Sequence, residues 1–138
     1  MSTVHANSPR DALSRVETMV LMAGFDLPIR AIRQYLSSAL DVIVQLERLE
    51  DGSRHVTTVT EVQRMESDVI TLQPLYEFRL KELTEEGRIV GSLKPTGLRP
   101  TLLNKFEKRG VEIDGSLFGD PMEGIADGSE WLAQGDAR

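Results

Sequence analysis

The stretch Thr3-Val4-His5-Ala6-Asn7-Ser8-Pro9-Arg10 sets a histidine just ahead of an asparagine and a helix start. Free N–H groups at a helix N-terminus receive anions such as phosphate. Arg10, Arg15, Arg30 and Arg33 follow on two consecutive helical stretches. Any of them could reach a phosphate of its own subunit or of a neighbour, in the manner of an arginine finger. Each residue also has a plainer use. A lone histidine at a strand end can simply bond a backbone group. Asn7-Ser8-Pro9 is first of all a cap that satisfies backbone donors. The four arginines can pair with Asp11, Glu17 and Asp26 on a solvated helix face. Spacing alone does not choose among the arginines.

Other chemistries have less to stand on. The chain of 138 residues has no cysteine, so neither a disulfide nor a thiolate metal site can form. His5 and His55 lie too far apart for ligand spacing, and no metal ligands are assigned. No G-x-x-x-x-G-K-[ST] phosphate loop occurs. The nearest approximation, Gly91 to Gly97 (GSLKPTG), has the wrong spacing. A net charge of −6 argues against a nucleic-acid partner. No apolar run is long enough to span a membrane, and the first residues do not have the pattern of a secretory signal. The acidity is concentrated after Phe118, where Asp120, Glu123, Asp127, Glu130 and Asp136 face Arg138 alone. That stretch, 119–138, is also rich in glycine and poor in aliphatics, which predicts an acidic, disordered tail. Trp131-Leu132 is a possible docking spot within it.

The elements that must position these residues follow from periodicity. Ser2 to His5 reads as the stub of a strand. Ser8 as N-cap, Pro9 at the first helical position and Asp11 three residues after the cap predict a helix start. Leu13, Val16, Val20 and Ala23 form its apolar face, and Gly24 stops it. A second helix begins near Asp26-Leu27-Pro28, with Ile29, Ile32, Leu36 and Leu40 as its stripe. The period then shortens. Asp41–Leu49 reads as a strand with Val42, Val44 and Leu46 on one face. Asp51-Gly52 marks a hairpin, and Arg54–Arg64 is the return strand. A turn at Glu66-Ser67-Asp68 leads to a third strand at Val69–Gln73. Leu75–Leu80 can extend the sheet, Glu82–Gly87 is a loop, and Arg88–Leu93 is one more strand. Pro100–Arg109 predicts a short helix with Leu102, Leu103 and Phe106 on its apolar side.

Three blocks, TVHANSPRDALSRVETMVLMAG, LPIRAIRQYLSSALDVIVQLERLEDGSR and VTEVQRMESDVITLQ, closely resemble the C-terminal half of the CpaF-type ATPases that power Tad (Flp) pilus assembly and secretion. These belong to the type II/IV secretion ATPase superfamily. GRIVGSLKPTGLRPTLLNKFEKRGVEI is similar to the family's closing segment. The resemblance runs from about Ser2 to Phe118. It implies an α/β fold: the C-terminal part of a RecA-like (P-loop NTPase) domain over 1–118, incomplete by itself, with two helices, an antiparallel β meander and a short C-terminal helix.

The resemblance also implies roles. His5 corresponds to the histidine box and would face the γ-phosphate, and Arg15 matches an arginine recurring on the following helix. These two are the expected catalytic residues. Asn7 and Arg10 are the expected nucleotide neighbours. In the family the phosphate loop, acidic box and Mg-binding strand precede the histidine box, and none can be assigned in these residues. ATP and Mg are thus the family's cofactors, and no tight binding of either is expected to this chain alone, nor hydrolysis by it. Implied partners are ATPase subunits in a hexameric ring and an inner-membrane platform, with a cytoplasmic location peripheral to the bacterial inner membrane. The alternative is a non-enzymatic module that binds and regulates full-length subunits or the platform protein. Either way, bare apolar surfaces and open sheet edges predict a poorly soluble or self-associating chain.

Overall fold

The computed structural model describes residues 1–119; the tail expected over 119–138 lies, apart from Gly119, outside the described residues. The chain runs α1 (Pro9–Met22), α2 (Ile29–Ala39), β1 (Val42–Arg48), β2 (Arg54–Glu66), β3 (Val69–Leu83), β4 (Ile89–Pro95), α3 (Leu103–Glu107) and a final 3-10 turn at Gly115–Phe118. The fold is mixed α and β, and its four strands form one antiparallel sheet in chain order.

Local chemistry explains most boundaries. Ser8 is extended (φ −159°, ψ 164°), and its hydroxyl accepts the Asp11 N–H, with Pro9 at the first helical position. Gly24 adopts φ +80° directly after the helix, the left-handed conformation that ends α1. In the first hairpin Gly52 sits at φ +81°, as the Asp-Gly pair predicts. Ser67 turns β2 into β3 at φ +55°, the only non-glycine with positive φ among the described residues.

The sheet is longer than its sequence suggests. β3 runs without a break from Val69 to Leu83, so Leu75–Leu80 does extend it, and part of the expected acidic loop is strand. The last strand is Ile89–Pro95, which makes the meander four-stranded. The predicted helix over Pro100–Arg109 shrinks to Leu103–Glu107, because Pro100 to Leu102 form a turn anchored from below. One expectation fails outright. Ser2 to His5 is not a strand: residues 1–6 take no regular structure. A strand is defined by its ladder, and among the described residues no strand pairs with 1–6; Ala6 is held there by a side chain, its carbonyl accepting from Gln45 Nε2 at 2.9 Å.

The two faces of the sheet are used differently. On one, α1 and α2 bury Leu13 with Val62 and Ile70, flanked by Leu36, Leu40, Ile43, Met65 and Leu72. On the other, the segment after β4 crosses β2 and β3, and the Tyr76 hydroxyl donates to the Leu117 carbonyl. β1 reverses the simplest expectation for an apolar strand face. Its helix-facing residues are Ile43 and buried Gln45, whereas Val42, Val44 and Leu46 are exposed by 36%, 51% and 63%. A register bulge between Gln45 and Leu46 accompanies this. β1 is also an edge strand, so among the described residues its apolar face and its outer backbone edge are both left open.

Candidate functional site

The N-terminal turn of α1 is closed by two bonds between backbone N–H groups and side chains. Asp11 N donates to Ser8 Oγ at 3.0 Å, and Asn7 N donates to Asp11 Oδ2 at 2.9 Å. This is a variant of the capping box: aspartate replaces glutamate, and it takes the N–H of Asn7, one residue before the cap, rather than that of Ser8. Arg15, one turn further on, reaches back to the same Asp11 oxygen at 3.0 Å. The Asn7 N–H, and then Arg15, hold the Asp11 carboxyl below the ordinary carboxylate range. The helix end that would receive an anion therefore already holds one, with a guanidinium beside it.

His5 lies just outside this cap. It is exposed, and among the described residues its ring makes no hydrogen bond. Asn7 is exposed as well, and enters the network through its backbone N–H rather than its amide.

The four arginines divide by location. Arg15 stays at the cap. Arg10 leaves it: Nη1 donates to the Ile70 carbonyl at 2.9 Å, pinning α1 to the start of β3. Arg33 forms a two-pronged contact with Glu17 of α1 (2.8 and 3.3 Å) and donates from Nη1 to the Asp68 carbonyl at 2.8 Å. Arg30 pairs with the Asp68 carboxylate at 3.4 Å. Three arginines thus converge on the Ser67–Ile70 turn and fasten the helix pair to the sheet. In the expected solvated-face pairing, Asp11 and Glu17 hold their places, while Asp68 takes the part foreseen for Asp26.

The shallow depression between these groups, bordered by Arg10, Glu17, Arg33 and Ile70, has about 250 Å3. That is below the roughly 300–1,000 Å3 of sites that enclose small ligands, and its cations are already engaged.

ATP and Mg²⁺ do not fit the donor set of the described residues. Phosphate binding needs a cradle of backbone N–H groups with a lysine, and Mg²⁺ needs carboxylate or hydroxyl oxygens. The α1 terminus is capped by a carboxylate. Among the described residues no three His, Asp or Glu side chains are grouped to hold a metal ion.

Sequence reasoning missed two polar clusters. Asp51 accepts from Ser53 N at 3.0 Å, from the Ser53 hydroxyl and from Ile89 N at 2.8 Å, while His55 Nε2 lies 2.9 Å from Ser53 Oγ. The alternation of Asp51, Ser53 and His55 about the turn was the available signal. Here serine stands between the acid and the imidazole, whereas nucleophilic activation needs the imidazole in the middle. The cluster ties the hairpin tip to β4, and the Ser53 hydroxyl, followed by Ile89 N–H, lowers Asp51 to about 2. The second cluster is centred on Glu61, a buried acid under the Thr101 turn. No periodicity marks it.

No helix among the described residues is long and apolar enough to cross a membrane. No family model matches the chain, and none of the curated proteins matches it either.

Proposed function

We propose that this chain supplies the histidine-box part of a Tad-type secretion ATPase, working within a ring of related subunits. Support comes from the contiguous sequence blocks that resemble the family and from one structural observation. The His5 segment is tied through Ala6 to Gln45 of β1, an edge strand whose apolar face is uncovered. A histidine presented beside an open sheet edge suits a site completed by other strands. The phosphate loop is absent from these 138 residues, so it would come from another polypeptide or from sequence beyond them. In such a ring His5 and Arg15 are the residues of this chain that would border a nucleotide held by the phosphate loop of the other part.

The test is reconstitution. The purified chain should show no ATPase activity. Mixed with a fragment of a related ATPase that carries the phosphate loop, it should co-purify and restore hydrolysis, and His5→Ala should remove that hydrolysis. Failure to associate, or hydrolysis by the chain alone that His5→Ala abolishes, overturns the proposal.

A regulatory binding module is the second reading. Met19, Met22 and Phe25 at the end of α1 and beyond it, and Tyr35 within α2, are exposed by 51%, 81%, 64% and 66%. Exposed apolar side chains of this size suit contact with a protein partner. If this reading is correct, the chain binds full-length subunits and alters their activity whether or not His5 is present.

A further inference from the structure

A groove opens between α2 and α3 over the β2–β3 turn. Arg30, Arg64, Lys105 and Lys108 line it, against only two acids, Asp41 and Glu66. Lys105 pairs with Asp41, and Arg30 with Asp68. Arg64 and Lys108 make no ion pair among the described residues. The floor contributes half-buried Leu40 and Met65. In a chain of net charge −6 this is a local excess of positive charge. At about 1180 Å3 the groove exceeds the roughly 300–1,000 Å3 usual for small ligands and suits an extended peptide.

We propose that the groove is the docking site of the chain's own acidic C-terminal segment, residues 120–138. Charge complementarity is the first reason: five acids stand against one arginine in that segment. Its Trp131-Leu132 pair suits the apolar floor.

Position is the second. The described chain ends at Gly119, and Gly97 N donates to the Phe118 carbonyl at 3.0 Å. Thr101, which borders the groove, follows Gly97 by four residues, at most about 14 Å of chain. Six residues of the segment, at about 3.5 Å each, cover that distance. Tethering also gives the segment an effective concentration on the order of mM, so a weak contact suffices. Because the attraction is largely between exposed charges, salt should weaken it, the screening length falling from about 8 Å at physiological ionic strength to about 3 Å at 1 M. The docking is independent of any nucleotide chemistry at His5.

Trp131 is the chain's single tryptophan, which makes the test direct. At low salt its emission in the full chain should be blue-shifted, and less quenched by acrylamide, than in a synthetic peptide of residues 120–138. The blue shift should be lost in 1 M salt and in the Arg64→Glu/Lys108→Glu variant, and should not depend on protein concentration. Emission matching the free peptide at low salt overturns the proposal. Zero-length carbodiimide crosslinking of the unaltered chain checks the same point without relying on the variant's folding. Crosslinks within one chain should join acids of 120–138 to Lys105 or Lys108. Crosslinks to Lys81 or Lys94 instead, or only between chains, overturn it.

Discussion

The buried carboxylate of Glu61 holds the Thr101 turn from beneath. Oε1 accepts the Thr101 hydroxyl at 2.9 Å and Leu102 N at 2.7 Å, and Oε2 accepts Thr101 N at 3.1 Å. Glu61 is only 2% exposed. A buried carboxylate is stable only when its lone pairs are satisfied, and here the orphan donors ahead of α3 satisfy them. One mid-sheet residue therefore fixes the C-terminal segment to the face opposite α1 and α2. Removing it strands those donors. Glu61→Ala should cost about 3 kcal/mol, since bonds to a charged group are worth about 1.5–3 kcal/mol and orphaned groups add their own cost. Glu61→Gln keeps one acceptor oxygen and should cost about half as much. Urea denaturation measures both, and hydrogen exchange at Leu103–Glu107 should rise more than exchange in α1. Equal rises in the two helices would mean that Glu61 does not act through α3.

The Arg33–Glu17 contact should be worth more than an ordinary surface pair. Its side chains are 29% and 13% exposed, and the guanidinium also holds the Asp68 carbonyl. Exposed pairs give about 0.2–1 kcal/mol in double-mutant cycles. The cycle of Arg33→Ala and Glu17→Ala should give a larger coupling than the same cycle at Arg15 and Asp11, because two parallel bonds form between half-buried side chains. Arg33→Lys should recover little of it, since an ammonium cannot fork.

Acid sensitivity should reside partly in the first hairpin. The Ser53 hydroxyl and the Ile89 N–H bring folded Asp51 from 3.8 to about 2. A depressed folded value means that Asp51 contributes stability above its unfolded value. That contribution fades as pH falls from about 3.8 through about 2. Asp11 and Asp114 are lowered too and act in the same sense, so only a difference isolates Asp51. The stability of Asp51→Asn should fall less steeply across that window than that of the unaltered chain. Parallel slopes would show that Asp51 keeps its ordinary value in the folded chain.

These contacts also mark what could be read from the chain. Ser8, Pro9, Asp11, Gly24 and Asp51-Gly52 act on their own neighbours, so the helix start, its stop and the hairpin were legible from local chemistry. The use of Val42, Val44 and Leu46 was not. Alternation places residues on a common face but does not say which face the helices cover, and Gln45 took the inner side by holding Ala6. The strand expected at Ser2–His5 failed for a related reason, because a ladder depends on a partner that periodicity does not report. Glu61 and Thr101 are forty positions apart, and nothing in either neighbourhood announces the other. At the cap, the Asp11–Arg15 pair was visible as an i,i+4 spacing, whereas the departure of Arg10 toward Ile70 depended on the path of β3.

That division of the arginines lets the stability of the α1 terminus be measured apart from the role proposed for Arg15. Arg15 makes an exposed i,i+4 pair, its side chain 46% exposed, so Arg15→Ala should cost the isolated chain no more than about 0.5 kcal/mol. Arg10 holds a backbone carbonyl of β3, and Arg10→Ala should cost about 1 kcal/mol. His5 bonds to nothing among the described residues, so His5→Ala should leave the melting temperature unchanged. If the chain completes an ATPase, the order reverses in the reconstituted assembly. An arginine acting on the transferred phosphoryl group is worth on the order of 10³-fold or more in rate, so Arg15→Ala should lose that much, and His5→Ala should lose most hydrolysis as well. Arg10→Ala should lower activity only as far as it lowers the folded fraction. Activity in Arg15→Ala and His5→Ala assemblies equal to that of the unaltered assembly would remove both residues from the catalytic role, however tightly the fragments bind.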